Sequence, residues 1–185
     1  MSSESSFDKA KRGSRSGCGD ILMTLRKIIL SSLFVSLALV FNLIEGLLPF
    51  PMPGVKLGTA NVFALSALVM MGTREAFMVT ILRVFLALLI TGNFFSFFCA
   101  ITGGLLATVT MVLLYTKLEK YFSLSWISVA GAWAFNLGQT LVASFVVGDF
   151  RLMYYLLPLL VIGTISGWIV GKLAETLCIR LEHLK

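Results

Sequence analysis

The sequence predicts an all-α integral membrane protein, a bundle of six transmembrane helices with both termini on the cytoplasmic side. Three observations predict it. The chain of 185 residues is 58% apolar and only 13% charged, too hydrophobic for a soluble domain of that length. Its apolar runs recur at about 20 residues, the helical length needed to cross the hydrocarbon core. Membrane β-barrels show alternating segments of about ten residues instead, and the chain has none. Its basic residues also fall almost entirely on one side of the spans so defined.

Residues 1–25 are rich in Ser, Gly and charge, with Lys9, Lys11, Arg12 and Arg15. Such a segment buries too little apolar surface to order itself, and reads as a basic cytoplasmic tail. The membrane domain is expected over 26–180, followed by a short cytoplasmic tail, 181–185. Span 1, about 28–48, is too long for a signal-peptide core and lacks a small-x-small cleavage site, so it is read as permanent. Pro49, Pro51 and Pro53 then alternate, pushing Leu48, Phe50 and Met52 out of the α region and making 48–53 extended. The helix restarts near Lys56.

The remaining spans are placed at about 57–73, 76–92, 94–115, 124–147 and 152–174. Six crossings from an inside start leave only Lys56, Arg83 and Arg151 of the 15 basic residues off the inner side, the asymmetry expected of cytoplasmic loops. Pro158, inside span 6, should kink it by depriving the Tyr154 carbonyl of its partner. Small residues recur every four positions: Gly163, Gly167 and Gly171; Ala130, Ala134 and Gly138; Ala100, Gly104 and Thr108. Such stripes allow close backbone approach and serve either packing within the bundle or docking of another membrane subunit. Ser31, Ser32, Ser36 and Ala38 make the cytoplasmic half of span 1 the best docking candidate.

Polar groups inside the spans are the candidate site. A charge in the bilayer costs from a few to about 10 kcal/mol, and normally faces the interior or water. Arg83 either pairs with helix ends or a buried acid such as Glu45, or meets an anionic or carbonyl-bearing substrate. Lys56 is an interfacial anchor or a ligand contact, with Glu45 as its possible partner. Asn61 lies one turn further in. Asn136 and Gln139 share one face of span 5, for interhelical hydrogen bonds or for ligand. Asn42 and Asn93 are weaker candidates at the outer ends of spans 1 and 3. Apart from the deeper Arg83, these groups gather in the outer half, which suggests an outward-opening cavity for a small ligand with a polar or anionic head.

Much chemistry is excluded. The only aspartates are Asp8, Asp20 and Asp149, so no Asp-rich motif for Mg²⁺-dependent diphosphate chemistry exists. Gly167-x-x-x-Gly171-Lys172 is one residue short of a nucleotide-binding loop and lacks its Ser/Thr. Cys18, Cys99 and Cys178 have no paired spacing, and the single His183 cannot complete a metal site with them. No catalytic residues and no metal site are expected.

An ordered set of motifs remains: Lys56-Leu57-Gly58-Thr59-Ala60-Asn61, Arg83-Val84 with Gly92, Gly103-Gly104, Ser128-Val129-x-Gly131-Ala132, and Asn136-x-Gly138-Gln139. Over about residues 28–180 the chain resembles the bacterial Gx transporter family, also labelled heptaprenyl diphosphate synthase component I. That family is similar to the S components of energy-coupling factor (ECF) transporters. The resemblance implies an ECF S-component-like, multi-pass protein of the bacterial plasma membrane that binds a small nutrient or vitamin-like molecule from outside. Its partners would be a transmembrane coupling subunit and two cytoplasmic ATP-binding cassette ATPases, with ATP used by the ATPases and no cofactor of its own. Small residues on the first helix, here Ser32, Ser36 and Ala38, would meet the coupling subunit. One departure bears on specificity: Phe135 stands where the family is expected to place a His. The alternatives are a non-catalytic component of a prenyl diphosphate synthase, assisting a separate catalytic chain, and a structural membrane protein without ligand.

Overall fold

The computed structural model describes residues 25–46, 58–118 and 123–182. Within them the chain is helical: α1 Leu25–Gly46, α2 Asn61–Met70, α3 Thr73–Thr91, α4 Phe94–Leu118, α5 Leu124–Val147 and α6 Leu156–Glu182, the last preceded by a 3-10 segment, Phe150–Tyr155. The chain divides into two compact units, Met1–Leu33 and Phe34–Lys185. The described part of the first is the beginning of α1, where Leu25, Ile28, Ile29 and Leu33 are exposed. The second carries the candidate site.

Among the described residues, four helices are long and apolar enough to cross a membrane: α1, α4, α5 and the continuous stretch Phe150–Arg180. α3 has 19 residues but carries Arg74, Glu75 and Arg83. α2 has only ten residues, about 15 Å of rise, where the sequence predicts a span over 57–73. Its apolar run continues beyond the helix, but a turn at Thr59–Ala60 precedes it and Gly72, at φ +114°, follows it. Pro158 is the third residue of α6, just after the change from 3-10 to α geometry, and lies inside the continuous helical stretch as the sequence predicts.

Helix ends follow local chemistry. α3 and α5 stop at Gly92 and Gly148, whose φ of +63° and +73° is the left-handed conformation that a side chain disfavours. Each glycine N–H closes the helix, on Leu88 O at 2.8 Å and on Ser144 O at 3.0 Å. Asn93 starts α4 by accepting from Ser96 N at 3.0 Å, the usual work of an N-cap side chain.

α2 is the centre of the larger unit. Every residue from Asn61 to Leu68 is buried, as expected of a helix that is apolar all round. It packs against α3, α4, α5 and α6. On one side Val62, Phe63 and Ala67 join Phe34, Val35, Ala38, Val79 and Val170; on the other Leu65 and Leu68 join Ala76, Ala107, Met111, Ile127, Phe135 and Ala174. Around this core the glycines bring backbones together. Gly167 faces α5 so closely that a Cβ would lie 2.9 Å from Val129 Cα, and a Cβ at Gly138 would lie 2.9 Å from Gly103 Cα. Gly163 abuts Asn136 and Gly171 abuts Ser125. The Gly163–Gly167–Gly171 stripe, open between packing and docking in the sequence, is the α5–α6 seam. Ala100, Gly104 and Thr108 are likewise buried.

Many large apolar side chains are exposed, while the candidate polar groups of the helices are mostly buried. Leu37, Val40, Phe41 and Ile44 are exposed on α1, Leu82, Phe85, Leu86, Leu89 and Ile90 on α3, and Leu157, Val161, Ile165, Trp168 and Leu173 on α6. Asn42, Glu45, Asn61, Arg83, Asn136 and Gln139 are buried. That inversion is what a lipid solvent selects: apolar surface costs nothing there, while polar groups need partners within the protein.

Candidate functional site

Glu45, next to last in α1, is 5% exposed and gathers the chain that leads into α2. Its carboxylate accepts from Thr59 N at 2.6 Å, from Gly58 N at 3.3 Å, and from the Thr59 hydroxyl. Three donors on one buried carboxylate satisfy much of its acceptor capacity without a cation. Gly58 sits at φ +76°, and Asn61 N closes the turn on Gly58 O at 2.9 Å. A side chain at position 58 would also meet Asn61 Nδ2 and the Phe135 ring, each 3.1 Å from its Cβ.

One turn on, Arg83 reaches from α3 to α2. It is the eleventh residue of α3, 2% exposed, and its Nη2 donates to Asn61 Oδ1 at 2.6 Å. Glu45 attracts it electrostatically, but no ion pair within 4.0 Å joins them among the described residues. Gly104 of α4 leaves room beside the guanidinium: a Cβ there would lie 3.5 Å from Nη2 and 3.0 Å from Thr80 Cγ2. Arg83 Nε and Asn61 Nδ2 are buried without a hydrogen-bond partner among the described residues. Phe135, 2% exposed, closes the α5 side, with its ring against Gly58 and Gly103.

The Asn136–Gln139 face forms a separate group. Gln139 Nε2 donates to Asn136 Oδ1 at 2.9 Å, and Asn136 Nδ2 donates to Leu159 O at 2.8 Å. Asn136 therefore ties α5 to the first turn of α6 and abuts Gly163. Asn93 is exposed at the start of α4 and lines a small open cleft with Asn42, Thr91 and Ser96. Lys56 and the proline stretch lie outside the described residues. Of the predicted contacts, the structure thus joins Asn61 to Arg83 and sets Glu45 on the adjoining turn. Among the small residues on α1, Ser32 and Ser36 are exposed, whereas Ala38 is fully buried in the core and offers a partner no surface.

Sequence reasoning passed over four hydroxyls. Thr59 binds Glu45. Ser66, Thr140 and Ser144 are buried with hydroxyls lacking any partner among the described residues. Thr91, Thr108, Thr110, Thr116, Thr164 and Thr176 all return their hydroxyls to the carbonyl four residues back, so Thr140 is unusual for this chain. Its spacing was available as a signal: Asn136, Thr140 and Ser144 recur every four residues along α5.

The sequence pattern of the family described as heptaprenyl diphosphate synthase component I matches residues 34–177, over three quarters of the chain. No match is found among curated proteins or solved structures. The matched range takes in every described element of the polar centre, from Glu45 through Asn61 and Arg83 to Gln139, and the chain belongs to the heptaprenyl diphosphate synthase component I family.

Proposed function

We propose that the protein is the substrate-binding S component of an ECF-type importer, taking a small nutrient or vitamin-like molecule from outside a bacterial plasma membrane. The observation that carries this reading is the Asn61–Arg83 centre, a buried cation and amide that retain unpaired donors inside an apolar-faced helical unit. A purely structural arginine would be expected to spend its donors on the protein, since each unsatisfied buried group costs about 1–3 kcal/mol. All six helices are assigned to the membrane domain: α3 by its outward row Leu82, Phe85, Leu86 and Leu89, and the short α2 as an enclosed central piece. Both termini are cytoplasmic. Ser32 and Ser36 meet a transmembrane coupling subunit, and two cytoplasmic ATPases supply the energy that reorients this subunit and releases the ligand inside. Asn61 and Arg83 are the central ligand contacts, with Lys56 proposed as a further one from the sequence; Glu45 shapes the adjoining turn. Asn136, Gln139 and Asn93 are secondary: Gln139 donates to Asn136, Asn136 donates to α6, and Asn93 caps α4.

The family's description favours a second reading, a membrane-bound, non-catalytic component that assists a prenyl diphosphate synthase. The two readings separate on partners. Affinity purification from native membranes should bring down a coupling subunit and ATPases. Recovery instead of a prenyl synthase chain, with synthesis restored on adding this protein, would replace the first reading by the second.

A further inference from the structure

We infer that the Asn61–Arg83 pair is the seat of a ligand carboxylate, which accepts from the unpartnered donors Arg83 Nε and Asn61 Nδ2. This rests on the small-molecule reading above and names the chemical class it takes. Both side chains are more than nine-tenths buried, and both unpaired atoms are donors. The amide orientation is fixed by its neighbour: with Oδ1 facing Arg83 Nη2 at 2.6 Å, the opposite assignment would set donor against donor. The missing group must therefore be an acceptor.

Charge narrows it further. Arg83 donates to a neutral amide and has no carboxylate within 4.0 Å among the described residues, while Glu45 is occupied by Gly58 and Thr59. A buried guanidinium without a direct counter-ion is costly, and a carboxylate in charge-assisted contact removes that cost where a neutral carbonyl or a water does not. A diphosphate would bring several charges to one cation that Glu45 already partly offsets. Asn61 Nδ2 and the Phe135 ring edge lie within 3.1 Å of the same point beside Gly58, so the polar contact adjoins an aromatic surface. An aryl carboxylate is accordingly a suitable probe.

The test is thermal unfolding of the full chain in detergent with millimolar benzoate, benzamide or inorganic pyrophosphate. Benzoate should raise the midpoint by a few degrees and the other two should leave it unchanged. Asn61→Asp keeps the acceptor for Arg83 Nη2 but opposes one carboxylate to another, so its own midpoint should hold while the benzoate shift disappears. Arg83→Lys should also lose the shift. An equal response to benzamide, no response to benzoate, a response to pyrophosphate alone, or a benzoate shift surviving in Asn61→Asp would each overturn the carboxylate assignment. The underlying reading is judged separately: a neutral small molecule retained through purification would uphold it while overturning the carboxylate.

Discussion

Glu45 shows how much one side chain organises. Its three hydrogen bonds fix the Gly58–Thr59 turn, the turn aims Asn61, and Asn61 receives Arg83. Glu45→Gln removes the charge and turns one acceptor into a donor beside N–H groups. The expected loss is about 1.5–3 kcal/mol, the range for hydrogen bonds to a charged group. Thermal unfolding checks it, and an unchanged midpoint would separate Glu45 from the turn. Residue identities were legible here, but partners were only partly so. Glu45 was suggested as a mate for Arg83 or Lys56, yet it spends its described hydrogen bonds on backbone and hydroxyl donors, which leave no periodic trace. For Asn136 the sequence leaves interhelical hydrogen bonding and ligand contact open, and its side chain makes such an interhelical bond, to the Leu159 carbonyl of α6.

Among the helices, glycines determine the spacing. Gly167→Ala should force Cβ against Val129 Cα and cost about 1–3 kcal/mol by overpacking, whereas Gly46→Ala, with nothing within 4 Å, should be neutral or slightly stabilising. Equal midpoints for the two variants would contradict the α5–α6 seam. On α1 the same logic divides docking from packing. Ser36→Leu, on an exposed position, should weaken recovery of a coupling subunit with little change in stability, while Ala38→Leu should destabilise the protein itself by overfilling a core that is already closed. Helix existence was legible from apolar runs, and the ends of α3 and α5 fall within a residue of the expected spans. The ten-residue length of α2 was not, since hydropathy stays high through the turns that bound it; nor was the change from 3-10 to α geometry just before Pro158.

For the whole molecule, apolar residues outside and Asn, Glu and Arg inside suit a lipid surrounding, and the basic-residue asymmetry is the basis of the proposed orientation. Cysteine labelling in intact cells should find positions 52, 93 and 149 accessible from outside and 74 and 117 only after permeabilisation; residue 52 reacting from the cytoplasm would contradict the orientation. A ligand's identity is not written in such a pattern, because a guanidinium and an amide serve structure and recognition alike. Only the donors left over distinguish the two, and those appear only when the helices are assembled. The most direct measurement is therefore mass spectrometry of small molecules retained by the full chain purified from native membranes. The account predicts one compound enriched with the wild type and lost from Asn61→Asp and Arg83→Lys at unchanged folding. The same retention by all three proteins, or by none, would contradict it.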